Sequence, residues 1–322
     1  MTRSAAATET WFVGDIGGTN ARFGLMSPER KLLHSEVLAD SDYPGIGEAI
    51  EAFLKGRGDL PAPRQGALAI ASPITGDLVS MTNHPWRFSV IELRGRIGFD
   101  RLEVINDFTA QALALPHLGD GDKVRVGGGN AAAGRPLAVL GPGSGLGVSG
   151  LVPCGGKWVP LTGEGGHATM PPSDEREGAV LAHMRSQFDH VSAERCISGP
   201  GLVNIYNALA AIDGARAAQY TAAQITDAET GATDPRCHEA TQMFCAMLGG
   251  VAGNLALTLG AQGGVFIAGG IVPRLGSRFA ASPFRERFEA KGRFQTYLAA
   301  IPTAVVTHPL AAFVGCAAAL AD

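Results

Sequence analysis

The sequence is poor in charge and in aromatic rings: Asp, Glu, Lys and Arg make up 17% of 322 residues, and Phe, Trp and Tyr 7%. Acidic residues (30) slightly outnumber basic ones (26), and Lys and Arg never cluster. A nucleic-acid partner would need a basic patch, so none is expected. An anionic membrane surface has no more to hold. No apolar run approaches the roughly 20 residues of a membrane span, so no membrane partner is expected either. Met1 to Thr10 is short and polar, unlike a secretory leader, and reads as a frayed end. The five cysteines, Cys154, Cys196, Cys237, Cys245 and Cys316, lie far apart, with no CxxC pair. That excludes a thioredoxin-like site or zinc knuckle and fits the reduced thiols of a cytoplasmic protein. Cys245 and Cys316 sit in apolar helical runs and read as core residues. Also missing are GxxxxGK[ST], HExxH and GxSxG, so no Walker loop, zincin helix or hydrolase elbow is present. Gly145 to Gly150 does spell GxGxxG. It lies in a return strand, however, and no acidic residue follows about twenty positions on, where a ribose would need it.

Glycine is what the chain has in excess: 44 of 322 residues, about twice the usual ~7%. Such a chain turns sharply or brings its backbone close to ligands. Hydrophobic residues at 46% exclude a disordered chain. The length suits two domains at roughly 150 residues each. Trp11 to Ile16 reads as a buried strand, Gly17 to Asn20 as a turn and Ala21 to Leu25 as the returning strand. The pattern restarts with a strand at Leu137 to Leu140, a turn at Gly141 to Gly145 and a return from Leu146 to Val152. The two hairpins look like a degenerate internal duplication. Further strands are predicted at Lys31 to Leu38, Gly66 to Ala71, Arg101 to Ile105, Gly264 to Ala268 and Ala304 to Val306. Helical spacing marks Ile46 to Leu54, Phe108 to Leu115, Glu175 to Phe188, Gly201 to Ile212, Ala222 to Ala228 and Pro235 to Leu259. It also marks Pro273 to Phe279, Phe284 to Ala290 and Pro309 to Leu320. No low-complexity linker separates the halves, so a cleft between closely packed halves is expected.

Five segments can carry chemistry. In Gly14-Asp15-Ile16-Gly17-Gly18-Thr19-Asn20, successive amides in a tight turn suit phosphate oxygens, and Thr19 adds a hydroxyl. Asp15 places a carboxylate beside them, which points to Mg²⁺ held directly or through water. The second glycine tip, from Gly141 to Gly147, stands at the equivalent point of the repeat. At Asn106-Asp107-Phe108 a strand gives way to a helix. Either residue there is a good helix cap, and Asp107 is also placed to accept a proton as general base. In Thr162-Gly163-Glu164-Gly165-Gly166-His167, an acid and an imidazole between glycines suit vicinal hydroxyls. Glu194 before Ser198-Gly199-Pro200-Gly201 is a cleft carboxylate or a surface charge. Gly269 and Gly270 end a buried strand with a flat backbone that suits a nucleobase or ribose.

In this order the segments resemble the bacterial glucokinase family of the sugar kinase/actin/heat-shock ATPase superfamily. The carriers are Gly14 to Phe23 (GDIGGTNARF), Ala71 to Asp77 (ASPITGD), Met81 to Trp86 (MTNHPW), Ile105 to Phe108 (INDF), Leu161 to His167 (LTGEGGH) and Ile197 to Tyr206 (ISGPGLVNIY). The resemblance spans Phe12 to about Ala319. It implies an α/β fold of two actin-like (ribonuclease H-like) domains, each a mixed sheet with helices, around an interdomain cleft. The small domain would take 9–115 and 308–322, and the large one 116–307. ATP would donate its γ-phosphoryl group to the 6-hydroxyl of glucose. Asp107 would be the base, and Asn106, Glu164, His167 and Glu194 would hold the sugar. Gly14, Asp15, Ile16, Gly17, Gly18, Thr19, Gly143, Ser144 and Gly145 would surround the phosphates, with Mg²⁺ near Asp15. Gly269 and Gly270 would lie on the adenosine side. A cytoplasmic homodimer is implied. A related branch follows its GEGGH-type segment with zinc-binding cysteines; Ala168 to Pro172 has none, so no zinc is expected. Pro142, in the second tip, lacks an amide donor and removes one phosphate contact. Kinases of other hexoses, a sugar-sensing repressor and an ATP-driven chaperone or filament protein are the alternatives. The ten residues before Trp11 are too few for the repressor's helix-turn-helix, and the chain has no spare length for a chaperone's extra subdomains.

Overall fold

β1 (Trp11–Ile16) is apolar on both faces, which is how a strand reads when it is covered on both sides. In the computed structural model, which describes residues 9–82 and 84–321, it lies at the centre of a five-stranded sheet. Of the expected frayed end, Met1 to Thr10, residues 1–8 lie outside the described residues, as do Asn83 of the MTNHPW motif and Asp322. Thr10 is not frayed, being buried with its hydroxyl donating to Pro61 O (2.8 Å). β2 (Asn20–Met26) and β3 (Leu32–Ala39) extend the sheet antiparallel on one side. α1 (Ile46–Lys55) follows, and β4 (Gln65–Ile70) pairs parallel with β1. A small ribbon, β5 (Leu78–Ser80) with β6 (Arg87–Ser89), leads into α2 (Val90–Ile97). β7 (Arg101–Asn106) then pairs parallel with β4 and runs directly into α3 (Asp107–Ala114). Alternation along β1 sorts its side chains. Phe12 and Ile16 pack with Ile50 and Phe53 of α1 on one face, where the Phe12 ring stands 5.4 to 5.9 Å from those of Phe23, Phe53 and Phe99. Trp11 and Val13 face the other way.

The chain divides into two compact units, Met1–Gly119 with His308–Asp322, and Asp120–Thr307. In the second unit β8 (Lys123–Gly127) is an edge strand. β9 (Leu137–Pro142), β10 (Leu146–Cys154) and β11 (Lys157–Thr162) form an antiparallel meander. Seven helices come next: α4 (Glu175–Arg185), α5 (Ala193–Cys196), α6 (Gly199–Ile212), α7 (Ala222–Ile225), α8 (Ala228–Thr233) and α9 (Pro235–Leu259) precede β12 (Gly264–Ile267), and α10 (Val272–Leu275) follows it. α11 (Ser277–Ala280), α12 (Phe284–Glu289), α13 (Gln295–Ala299) and β13 (Thr303–Val306) complete the unit. The sheet order is β11-β10-β9-β12-β13-β8. The duplication read from the two hairpins is visible here. In both sheets a hairpin and a third antiparallel strand flank the first strand on one side, and two parallel strands lie on the other.

One expectation needs correcting. α9 runs for 25 residues and is long and apolar enough, by composition, to cross a membrane. Its sequence hides this because Arg236, His238 and Glu239 cluster in its first turns. Its cause is packing: Phe244, Cys245, Leu248 and Ala252 are buried in the core of the unit beside Phe284 and Phe288 of α12. α14 (Ala311–Ala321) returns to the first unit and lies on α3 and on the β1 face carrying Trp11 and Val13.

Candidate active site

In the first unit three parallel neighbours end side by side. Ile16 of β1 is level with Ile70 of β4, and Ile70 with Asn106 of β7. Their carboxyl ends therefore bring three segments together: the Gly17-Gly18-Thr19 tip, the loop from Ala71 to Asp77, and Asn106-Asp107. Ligands of open α/β sheets gather at such ends. The tip is held by Gly17 N donating to Asn20 O (3.1 Å) and Asp40 N donating to Thr19 O (3.0 Å). Gly18 and Thr19 are exposed there. Gly14 and Ile16 are buried in β1. A Cβ on Gly14 would meet Leu68 at 2.5 Å, so packing requires that glycine, and the Ile16 side chain belongs to the core.

Asp15 stands at the end of β1, partly exposed, with Arg22 Nη1 3.9 Å from Oδ2 across the hairpin. Burial pushes its carboxyl above the ordinary range, and the Arg22 charge offsets part of that. Asn106 is the N-cap of α3: its Oδ1 accepts from Phe108 N (2.8 Å) and Thr109 N (3.2 Å). Asp107 is the first residue of the helix, half-buried, and its Oδ1 accepts from Phe108 N (2.9 Å). Asn106 Nδ2 reaches Ser72 O at 3.5 Å. Ser72 Oγ in turn meets Thr82 Oγ1 (3.0 Å) and accepts from Thr82 N (2.8 Å). The ASPITGD and MTNHPW segments thus brace Asn106. Nothing in the two motifs themselves marks Ser72 or Thr82 for this part.

Behind the tip lies an unusual group. The Asp40 side chain is buried, and neither carboxylate oxygen has a hydrogen-bond partner among the described residues. Burial raises its pKa, with the nearby His84 offsetting in part.

In the second unit the expected residues converge on Leu146. The tip from Gly143 to Gly145 joins β9 to β10, closed by Gly143 N donating to Gly145 O (2.8 Å). Glu194 lies on the one-turn helix α5. Ser192 caps that helix, Ser198 Oγ donates to Glu194 O (2.7 Å), and Ser198 caps α6. From there Glu194 Oε2 accepts from Leu146 N (2.8 Å). Gly166 presses on the same residue, for a Cβ on it would lie 2.0 Å from Leu146 O. The short turn Gly165–His167 therefore sits against β10, with Glu164 and His167 exposed on either side. His190 Nε2 bonds His167 O (3.0 Å) and Ala193 N donates to Ala168 O (2.8 Å), which fixes this turn to the approach of α5. Gly269 (φ +81°) packs on Pro142, whose carbonyl accepts from Ile271 N (3.4 Å). A cavity of about 560 Å³ in the same unit is lined among others by Asp227, Thr241, Leu275 and Arg278, the last two following the Gly269-Gly270 turn in sequence. The sequence carried no signal for this cavity, because its lining comes from several helices far apart in the chain, α9 among them, and from no one motif. Among the described residues no three His, Cys, Asp or Glu side chains stand together as a metal cluster.

From residue 12 to residue 322 the chain matches the glucokinase family model. It belongs to the glucokinase family. It is 54% identical over 311 residues to the glucokinase of Paramagnetospirillum magneticum, covering 96% of this chain and 97% of that one. Identity to the glucokinase of Aromatoleum aromaticum is 50% over 321 residues, with 99% and 97% covered. The crystal structure of glucokinase from an Antarctic psychrotroph, 36% identical, gives a TM-score of 0.88 with 97% of this chain and 98% of that one covered. The fold is that of the actin-like sugar kinases, as the motifs implied.

Proposed function

We propose that the protein is an ATP-dependent glucokinase that makes glucose 6-phosphate and ADP. The observation that carries this reading is the family match along nearly the whole chain, with glucokinases about half identical to it. Asp107 is the general base. A sugar hydroxyl is a weak nucleophile in neutral water, so the carboxylate orients O6 and takes its proton as the O6–Pγ bond forms. The bond from Pγ to the bridging oxygen breaks, and that oxygen leaves on ADP. Asn106, braced by Ser72, binds the sugar beside Asp107, and Glu164, His167 and Glu194 take its other hydroxyls. Amides of the Gly17–Thr19 and Gly143–Gly145 tips offset charge on the phosphates. The turn at Gly269-Gly270 and the cavity past Leu275 suit the nucleoside end.

A single half-exposed carboxylate fits Mg²⁺, which keeps several waters and takes its other ligands from phosphate. Asp15 would hold it, and the ion would neutralise phosphate charge. The family resemblance also supports a cytoplasmic homodimer; sedimentation of the purified protein tests the dimer. The decisive assay couples ADP release to a panel of hexoses with ATP and Mg²⁺. Glucose is expected to give the highest kcat/KM; a clear preference for fructose, mannose or N-acetylglucosamine would replace glucose in this reading.

A further inference from the structure

The glycine at 145 has a neighbour that is not phosphate. An ideal Cβ there would lie 2.4 Å from Glu194 Oε2 and 3.2 Å from its Cδ. The same Oε2 accepts the Leu146 amide at 2.8 Å. The first residue of β10 is thus held by a carboxylate that fits only because the preceding residue has no side chain. The Glu194 backbone is held, since its carbonyl accepts Ser198 Oγ and its short helix is capped. A Cβ at 145 would therefore displace the side chain, and with it the carboxylate that holds the Leu146 amide. Gly143, two residues earlier on the same tip, has nothing within 4 Å of its Cβ position.

We propose that Gly145 is a positioning residue for the sugar: it admits the Glu194 carboxylate against the second glycine tip, so hexose affinity and tip geometry are set by one shared hydrogen bond. The proposal rests on the reading of Glu194 as a hexose ligand. One carboxylate oxygen anchors the tip and leaves the other for a sugar hydroxyl. A methyl group at 145 pushes the carboxylate off Leu146 and away from its sugar position, although residue 145 itself touches no sugar. A glycine needed only for phosphate approach would leave glucose binding untouched.

The test is glucose titration by calorimetry without nucleotide, on the wild type, Gly145→Ala and Gly143→Ala. Gly145→Ala is expected to weaken glucose binding at least about tenfold, the scale of one lost charge-assisted hydrogen bond, with Gly143→Ala within about twofold of wild type. Unchanged affinity in Gly145→Ala, or equal losses in both variants, would overturn the proposal. Should Gly145→Ala not fold, amide exchange at Leu146 decides: Glu194→Gln keeps an acceptor and should retain protection, and Glu194→Ala should exchange at least about tenfold faster. Equal exchange in the two variants would overturn the anchor. A wild type that binds no glucose would overturn the sugar reading itself, and the coupling with it, whereas wild-type binding with an unaffected Gly145→Ala overturns the coupling alone.

Discussion

Asn106 and Asp107 show how a cap and a site share residues. The Asn106 Oδ1 closes the first turn of α3 on two amides, and this fixes the backbone from which the Asp107 carboxylate projects. Glu164 has a different task. It is exposed on the turn that Gly166 seats against Leu146, and in the proposed reaction it only binds the sugar. Glu164→Ala is therefore expected to raise KM for glucose by about tenfold or more with kcat nearly unchanged; steady-state kinetics with glucose varied would check it, and an unchanged KM would remove Glu164 from the site. At this scale the candidates carried different signals: Glu164 and His167 stand among glycines, Asn106 and Asp107 stand where an apolar strand gives way to a helix, and Glu194 is marked only by the Ser198-Gly199-Pro200-Gly201 turn after it. The roles of individual glycines were not legible. Gly14, Gly145 and Gly166 look alike in a motif, yet each is required by a different neighbour, Leu68, Glu194 and the Leu146 carbonyl, and a neighbour distant in sequence leaves no local trace.

Among elements, α3 and α14 approach most closely at Gly315, where a Cβ would lie 1.8 Å from Ala110 O. Backbone cannot yield as a side chain can. Gly315→Ala is expected to destabilise the first unit by about 2–3 kcal/mol and to lower kcat by moving the helix that carries Asp107; urea melts read the first effect and kinetics the second. The end of β3 gives the opposite expectation. Asp40 keeps its proton longer in the folded chain than in the unfolded one, because burial disfavours its charge. The cost of burying it is therefore absent at low pH and grows as pH rises through the raised value. Asp40→Asn should stabilise the protein by about 1 kcal/mol near neutral pH, and the gain should shrink as pH falls toward the ordinary carboxylate range near ~4. Urea midpoints across that range decide; a constant gain would show that charge is not the cause. Long apolar segments, such as β1 and α9, were readable. β8, β11 and α2 were not: β8 and β11 are edge strands with exposed or half-exposed residues, and in α2 only Leu93 is buried.

Over the whole molecule, each unit repeats one plan, a glycine tip between its first two strands and parallel strands beside them. The two hairpins announced this in the sequence, since strand-tip-strand patterns are local. Everything turns on the acid that begins α3. The most direct test is Asp107→Asn, measured for kcat and, separately, for equilibrium glucose binding. The account predicts that kcat falls by at least ~10²-fold, the low end for loss of a general base, while glucose still binds. A variant that turns over at close to the wild-type kcat would contradict it.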